Sequence, residues 1–226
     1  MTRRFMYLYK GYPMSNRSSR KTNKQAIHII GDGCSALSLG ARADELPDHQ
    51  LTIVSPSGAP KTQDHIWGFW YIKELDKAAK FSRHSWNRWC IKTSKGKKTL
   101  LSDDHAYHAL QRTRWENYCR KQAKNHGVIF IEQENLQKNQ TAQVLDSRPP
   151  SLATKQMFQN FIGWEILAPH NSFDSKTAIL MDFRCDQSRG IHFIYLLPFS
   201  DCEALVESTM FSLQREPDIF FESAIN

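Results

Sequence analysis

The sequence predicts an α/β fold in two parts: a parallel, Rossmann-type dinucleotide-binding unit followed by an antiparallel β-meander. Two observations carry this. Residues 26–54 read as strand, glycine turn, helix and second strand, with Gly31-Asp32-Gly33-Cys34-Ser35-Ala36 at the turn. Residues 177–184, 191–198 and 203–211 are three runs of two-residue period, separated by the short polar connections 185–190 and 199–202. The chain's 226 residues are enough to bury a sizeable core. The expected division is a disordered basic tail over 1–25, a dinucleotide-binding domain over 26–150 and an antiparallel domain over 151–226.

Charge distribution bounds the partners. The chain is 40% hydrophobic and 23% charged, with a formal net charge of +7 and a pI near 9.2. Such a balance points first to nucleic acid, but the excess is local. Arg3, Arg4, Lys10, Arg17, Arg20, Lys21 and Lys24 all precede residue 26, and no Asp or Glu accompanies them. The remainder holds 23 basic residues against 23 acidic ones, so no nucleic-acid partner is expected. The tail has no helical or strand period and reads as disordered. Attachment to anionic lipid is its functional reading; composition favours a plain solvated tail. Met14 offers an alternative start.

No stretch approaches the ~18 consecutive apolar residues of a spanning helix. Five cysteines, an odd number without C-x-x-C spacing, read as reduced thiols of a cytoplasmic protein. His105 and His108 lack a third ligand at metal spacing, so no metal is expected.

Within the first unit, Gly31 permits the tight turn, Gly33 lets the backbone approach a pyrophosphate, and Ala36 allows helix to pack closely on strand. The second strand, 51–54, is followed by Ser55, where an acidic ribose ligand is expected. A serine makes one hydrogen bond to a ribose hydroxyl where a carboxylate accepts two, so weak cofactor affinity is expected. Asp64-His65-Ile66-Trp67-Gly68-Phe69-Trp70 gathers three aromatics that would make a rigid wall or ordinary core. Ser85-Trp86 and 92–98 read as an exposed strand and turn. Asp103 or Asp104 is placed to cap an amphipathic helix running through Lys124, with Tyr107, Leu110, Trp115 and Tyr118 on its apolar stripe and Gly127 just past its end. Residues 128–131 return as a strand.

In the third run of the meander, alternation puts Leu205, Glu207, Thr209 and Phe211 on one face. Desolvation there would raise the Glu207 pKa and keep it protonated near neutrality. The plain reading is a solvent-facing glutamate, which composition alone favours. As the last run, 203–211 is expected to leave an exposed edge. Asp182 and Arg184 lie two apart on a strand and read as a structural ion pair.

The series GWEI, FD, AxLMDFR, FxYLLP and ALVExTxFS, in order over 163–212, resembles the lycopene cyclase family, flavoproteins that close the ends of linear carotenoids into rings. The resemblance covers about residues 26–212. It implies an FAD/NAD(P)-binding Rossmann-type domain with an antiparallel β-meander substrate domain. It also implies reduced FAD, NAD(P)H as electron donor, and lycopene or a related linear carotenoid as substrate. Glu207 matches the family's catalytic acid–base. Trp164 of GWEI is the expected stabiliser of the carbocation, with Phe193 and Tyr195 on one strand face. Asp146 and Arg148 resemble the D-x-R segment that passes the cofactor, so the expected cofactor set is Gly31, Gly33, Ala36, Ser55, Asp146 and Arg148. The implied location is cytoplasmic and peripheral at the membrane.

Two departures bear on activity: a hairpin expected before Asp146 is lacking, and the family's later glycine-rich flavin segment does not appear. The chain is therefore expected to be the N-terminal part of such a protein. The competing expectations are a truncated flavin-binding remnant without catalysis, and another FAD-dependent oxidoreductase or monooxygenase on the same fold.

Overall fold

The computed structural model describes residues 24–58, 64–135, 142–149 and 157–225. The basic tail, apart from Lys24 and Gln25, lies outside the described residues. Strands β1 (Gln25–Ile30) and β2 (His49–Ser55) pair in parallel around α1 (Cys34–Gly40), as the 26–54 pattern predicts. β8 (Ile129–Glu132) and β9 (Gln143–Asp146) add on either side, giving a parallel sheet of order β8-β2-β1-β9. Its inward residues Ile27, Ile29, Leu51 and Ile53 pack against Ala36 and Leu37 of α1 and against Cys119 and Ala123 of α3 (Arg112–Asn125). Parallel strands need such cover because helices lie on their faces.

The helix expected from Asp103 or Asp104 begins eight or more residues later. β7 (Tyr107–Gln111) occupies its first third and pairs with β3 (Ile66–Trp70) on one side and β4 (Ser82–Trp86) on the other. Tyr107 and Leu110 therefore belong to a three-stranded antiparallel sheet, where tertiary pairing overrides the local helical spacing. A short helix, α2 (Asp76–Ala79), links β3 to β4. The helix end follows the sequence: Gly127 takes φ +78, the left-handed conformation that follows a C-cap.

The third sheet has six strands in the order β10-β13-β12-β11-β5-β6: β5 (Arg88–Thr93), β6 (Gly96–Leu101), β10 (Phe158–Leu167), β11 (Ala178–Asp182), β12 (Ile191–Pro198) and β13 (Glu203–Ser212). The three sequence runs are β11, β12 and β13, antiparallel as expected. Three expectations are corrected here. β13 is not an edge, because β10 pairs with it along its whole length. The antiparallel part does not begin at 151, since β3 to β7 precede it and β5 joins the sheet in parallel with β11. Trp86 is not exposed; at 1% exposure it is core between the three- and six-stranded sheets, with Ala109, Ala178, Leu197 and Leu205. The β5–β6 hairpin that carries 92–98 does lie mostly at the surface.

A helix that the sequence reading did not anticipate, α4 (Asp218–Ile225), packs on β13 and β10. Phe220 and Phe221 lie against His192, whose Nε2 is 2.8 Å from Ser208 Oγ. α4 thus covers the β13–β10 end of that face.

Candidate active site

The opposite side of the six-stranded sheet faces the three-stranded sheet across a cleft of about 480 Å³. Register decides what enters it. Gly163 on β10, Glu207 on β13 and Tyr195 on β12 stand in one cross-strand row and share a face. Leu205, Thr209 and Phe211 follow the same alternation, so the four residues singled out on the third run all line the cleft. Trp70 and Tyr107 close it from the opposing sheet, 4.9 Å apart edge to face.

Glu207 is half-buried among these rings. Burial pushes its carboxyl above the usual carboxylate range. A hydrogen bond donated by Thr209 Oγ1 at 2.6 Å and the nearby His65 pull the other way without prevailing. The acid is thereby biased toward its protonated form. Folding linkage supplies a test independent of activity. A raised carboxyl contributes stability that is complete below the unfolded pKa, about 4.3, and is lost as pH rises through the folded value. Relative to wild type, Glu207→Gln should therefore gain stability as pH rises from about 4. Urea unfolding of both proteins at a series of pH values reads this, and a difference independent of pH contradicts it.

The hydroxyl of Tyr195 donates to that of Tyr107, joining the two sheets at the floor of the cleft. Burial pushes both phenols up, so both stay neutral. Gly68 makes this junction possible: a Cβ there would lie 1.8 Å from the Tyr107 oxygen and 3.0 Å from that of Tyr195.

Trp164 is corrected. It pairs with Val206, one residue out of step with Glu207, and so points to the other face of the sheet. The rings that share the cleft with Glu207 include Tyr195, Phe193 and Phe211 from the six-stranded sheet's β12 and β13, Phe161 from β10, and Tyr107 and Trp70 from the opposing sheet. The aromatic block at 67–70 is divided by the same rule. Trp70 faces the Glu207 cleft, Phe69 faces a separate cavity of about 520 Å³ beside α1 and α3, and Trp67 borders both. Asp64, which begins that block, accepts from Thr113 Oγ1 at 2.7 Å and from the Thr113 amide at 3.1 Å, tying β3 to the start of α3.

The proposed cofactor residues come together at the C-terminal ends of β1, β2 and β9. Gly31 has φ +104, and a Cβ there would meet Ser147 Oγ at 2.6 Å. Gly33 opens on free space, and Ala36 is buried. Ser147 holds Ile30 O through its amide and hydroxyl, both at 2.9 Å. Asp146 takes a bidentate bond from Arg148, which holds its pKa down to about 2. Ser55 Oγ donates to Asp32 Oδ2 at 3.1 Å. A turn left open at Gly31 and Gly33, edged by a carboxylate and an arginine, fits the pyrophosphate and ribose of a dinucleotide.

Elsewhere, Asp182 takes the expected bidentate bond from Arg184, a structural pair outside the cleft. His170, Asp201 and Cys202 bring donor atoms within 4.8 Å of one another, a grouping that the sequence reading, which expected no metal, did not include. Asp201 engages His170 Nδ1 there at 3.2 Å.

These features define an FAD/NAD(P)-binding Rossmann-type α/β fold with an antiparallel β-sheet domain. Solved structures share it. A geranylgeranyl bacteriochlorophyll reductase-like protein from Thermoplasma acidophilum is 13% identical, with 84% of this chain and 57% of that chain covered and a TM-score of 0.54. CtdE, solved with FAD and a substrate, is 10% identical, covering 85% and 58% with a TM-score of 0.58. A flavin-dependent halogenase from Xanthomonas campestris is 11% identical, covering 89% and 58% with a TM-score of 0.56. The chain thus spans less than two thirds of these solved chains. No curated protein matches the sequence. A family model described as lycopene cyclase protein matches residues 26–221, and the chain belongs to that family.

Proposed function

We propose that this chain carries the acid site of a carotenoid cyclase, which closes the ends of lycopene, or a related linear carotenoid, into β-type rings without net redox change. The observation that carries the reading is Glu207: a carboxyl that burial biases toward its protonated form, facing a cleft walled by aromatic rings. Protonating an unactivated alkene needs such an acid. The cation formed needs electron-rich faces and little water, and the rings of Tyr195, Phe193 and Tyr107 supply the faces. After ring closure, the Glu207 carboxylate is placed to accept the proton lost from the ring carbon, returning the site to its starting state.

FAD fits as cofactor because the Gly31 turn and the Asp32–Ser55 pair suit its adenosine half, and a reaction without net redox change would use it in reduced form. When bound, it would supply an electron-rich ring system, with NAD(P)H as the source of its electrons. Peripheral membrane contact follows from the lipid solubility of the substrate and from the basic tail. Among the described residues, no helix is long and apolar enough to cross a membrane.

Expressing the chain in cells that accumulate lycopene and separating the carotenoids by chromatography tests the proposal. Cyclised isomers support it. Unchanged lycopene with flavin bound to the purified protein favours a flavin-binding protein without catalysis. Substrate-linked, stoichiometric NAD(P)H consumption favours an oxidoreductase or monooxygenase.

A further inference from the structure

A serine ends β2 where folds of this kind ordinarily present an acid to the adenosine ribose. The structure brings an acid to the same place from another position. Asp32 is the middle residue of Gly31-Asp32-Gly33, in the turn between β1 and α1, and β1 lies beside β2. Its Oδ2 accepts from Ser55 Oγ at 3.1 Å and from Arg120 Nη2 of α3 at 3.3 Å. Among the described residues, Oδ1 accepts no hydrogen bond. The Asp32 and Arg120 side chains are each 36% exposed, so the carboxylate is open to a ligand. Arg120 is held in turn, its guanidinium 5.1 Å over the ring of Phe130 on β8.

We propose that Asp32 is the ribose-binding carboxylate of the dinucleotide site, with Ser55 as its partner and Arg120 fixing its orientation. The inference rests on the dinucleotide reading given above. A ribose diol offers two O–H donors. Asp32 Oδ1 accepts one. Ser55, whose own hydrogen is committed to Asp32, accepts the other through its oxygen. The cluster lies beyond the carboxyl ends of the parallel strands, where such ligands bind. The ligand class is a dinucleotide with a free adenosine 2′-hydroxyl, because a 2′-phosphate would be set against the Asp32 carboxylate.

The test is equilibrium titration of the full chain with FAD, read by flavin fluorescence, for wild type, Asp32→Asn and Ser55→Ala. ADP-ribose and 2′-phospho-ADP-ribose are run as competitors against wild type. Loss of a charge-assisted hydrogen bond should weaken FAD binding by about 10- to 100-fold in Asp32→Asn. Ser55→Ala should lose only about 3- to 10-fold. Wild type should prefer ADP-ribose over its 2′-phosphate. That competition needs no variant, so it stands even if Asp32→Asn folds poorly. Unchanged FAD affinity in a folded Asp32→Asn, or preference for the phosphorylated competitor, overturns the inference while leaving the dinucleotide reading intact. No FAD binding by wild type overturns both.

Discussion

Glu207→Gln should abolish carotenoid cyclisation while leaving fold and flavin binding unchanged. The amide is nearly isosteric and can still accept from Thr209, whose hydroxyl lies 2.6 Å from the carboxylate. It cannot deliver a proton. General acid catalysis is typically worth about 10²–10⁴ in rate, and an alkene offers no easier route, so a loss at the upper end or beyond is expected. Carotenoids extracted from lycopene-accumulating cells report it, with flavin content measured on the purified variant. Product formation that survives in Glu207→Gln removes this residue as the acid.

The second-largest effect is expected at Tyr195, not at Trp164. Tyr195 stands directly across from Glu207 on β12, and its ring lines the cleft. A desolvated cation–π contact is worth about 2 kcal/mol, so Tyr195→Leu should slow ring formation about thirtyfold. Tyr195→Phe keeps the ring and loses only the bond to Tyr107, so it should retain most activity. Trp164→Leu lies on the opposite face and should leave product formation within about threefold, the ordinary range of a change away from the site. An equal loss in Tyr195→Leu and Trp164→Leu would contradict the assignment of faces.

That assignment shows where the sequence was legible. Alternation within one strand placed Leu205, Glu207, Thr209 and Phe211 together, because side-chain period is a local property of the backbone. Trp164 sits on a different strand, and its face depends on the pairing of β10 with β13, a register that no local pattern states. β7 was hidden for a related reason. Residues 107–111 have helical spacing, and only pairing with β3 and β4 makes them a strand. The glycine turn was readable because its chemistry is contained in six consecutive residues. Its acid was not: Asp32 meets Ser55 across 23 positions and Arg120 across 88. Tyr107 and Tyr195 are likewise 88 residues apart and come from two different sheets.

The most direct measurement of the central claim is the mass of the carotenoid product formed in deuterated water. By the proposed route, Glu207 would exchange its proton with solvent before donating it, and ring closure would return a different hydrogen from carbon. Each ring formed by this route should therefore carry one solvent-derived deuterium. In ordinary water the product should have the mass of its linear precursor, with no stoichiometric consumption of NAD(P)H. Rings formed without deuterium, or products gaining two hydrogens or an oxygen at the expense of NAD(P)H, would contradict proton-initiated cyclisation at Glu207.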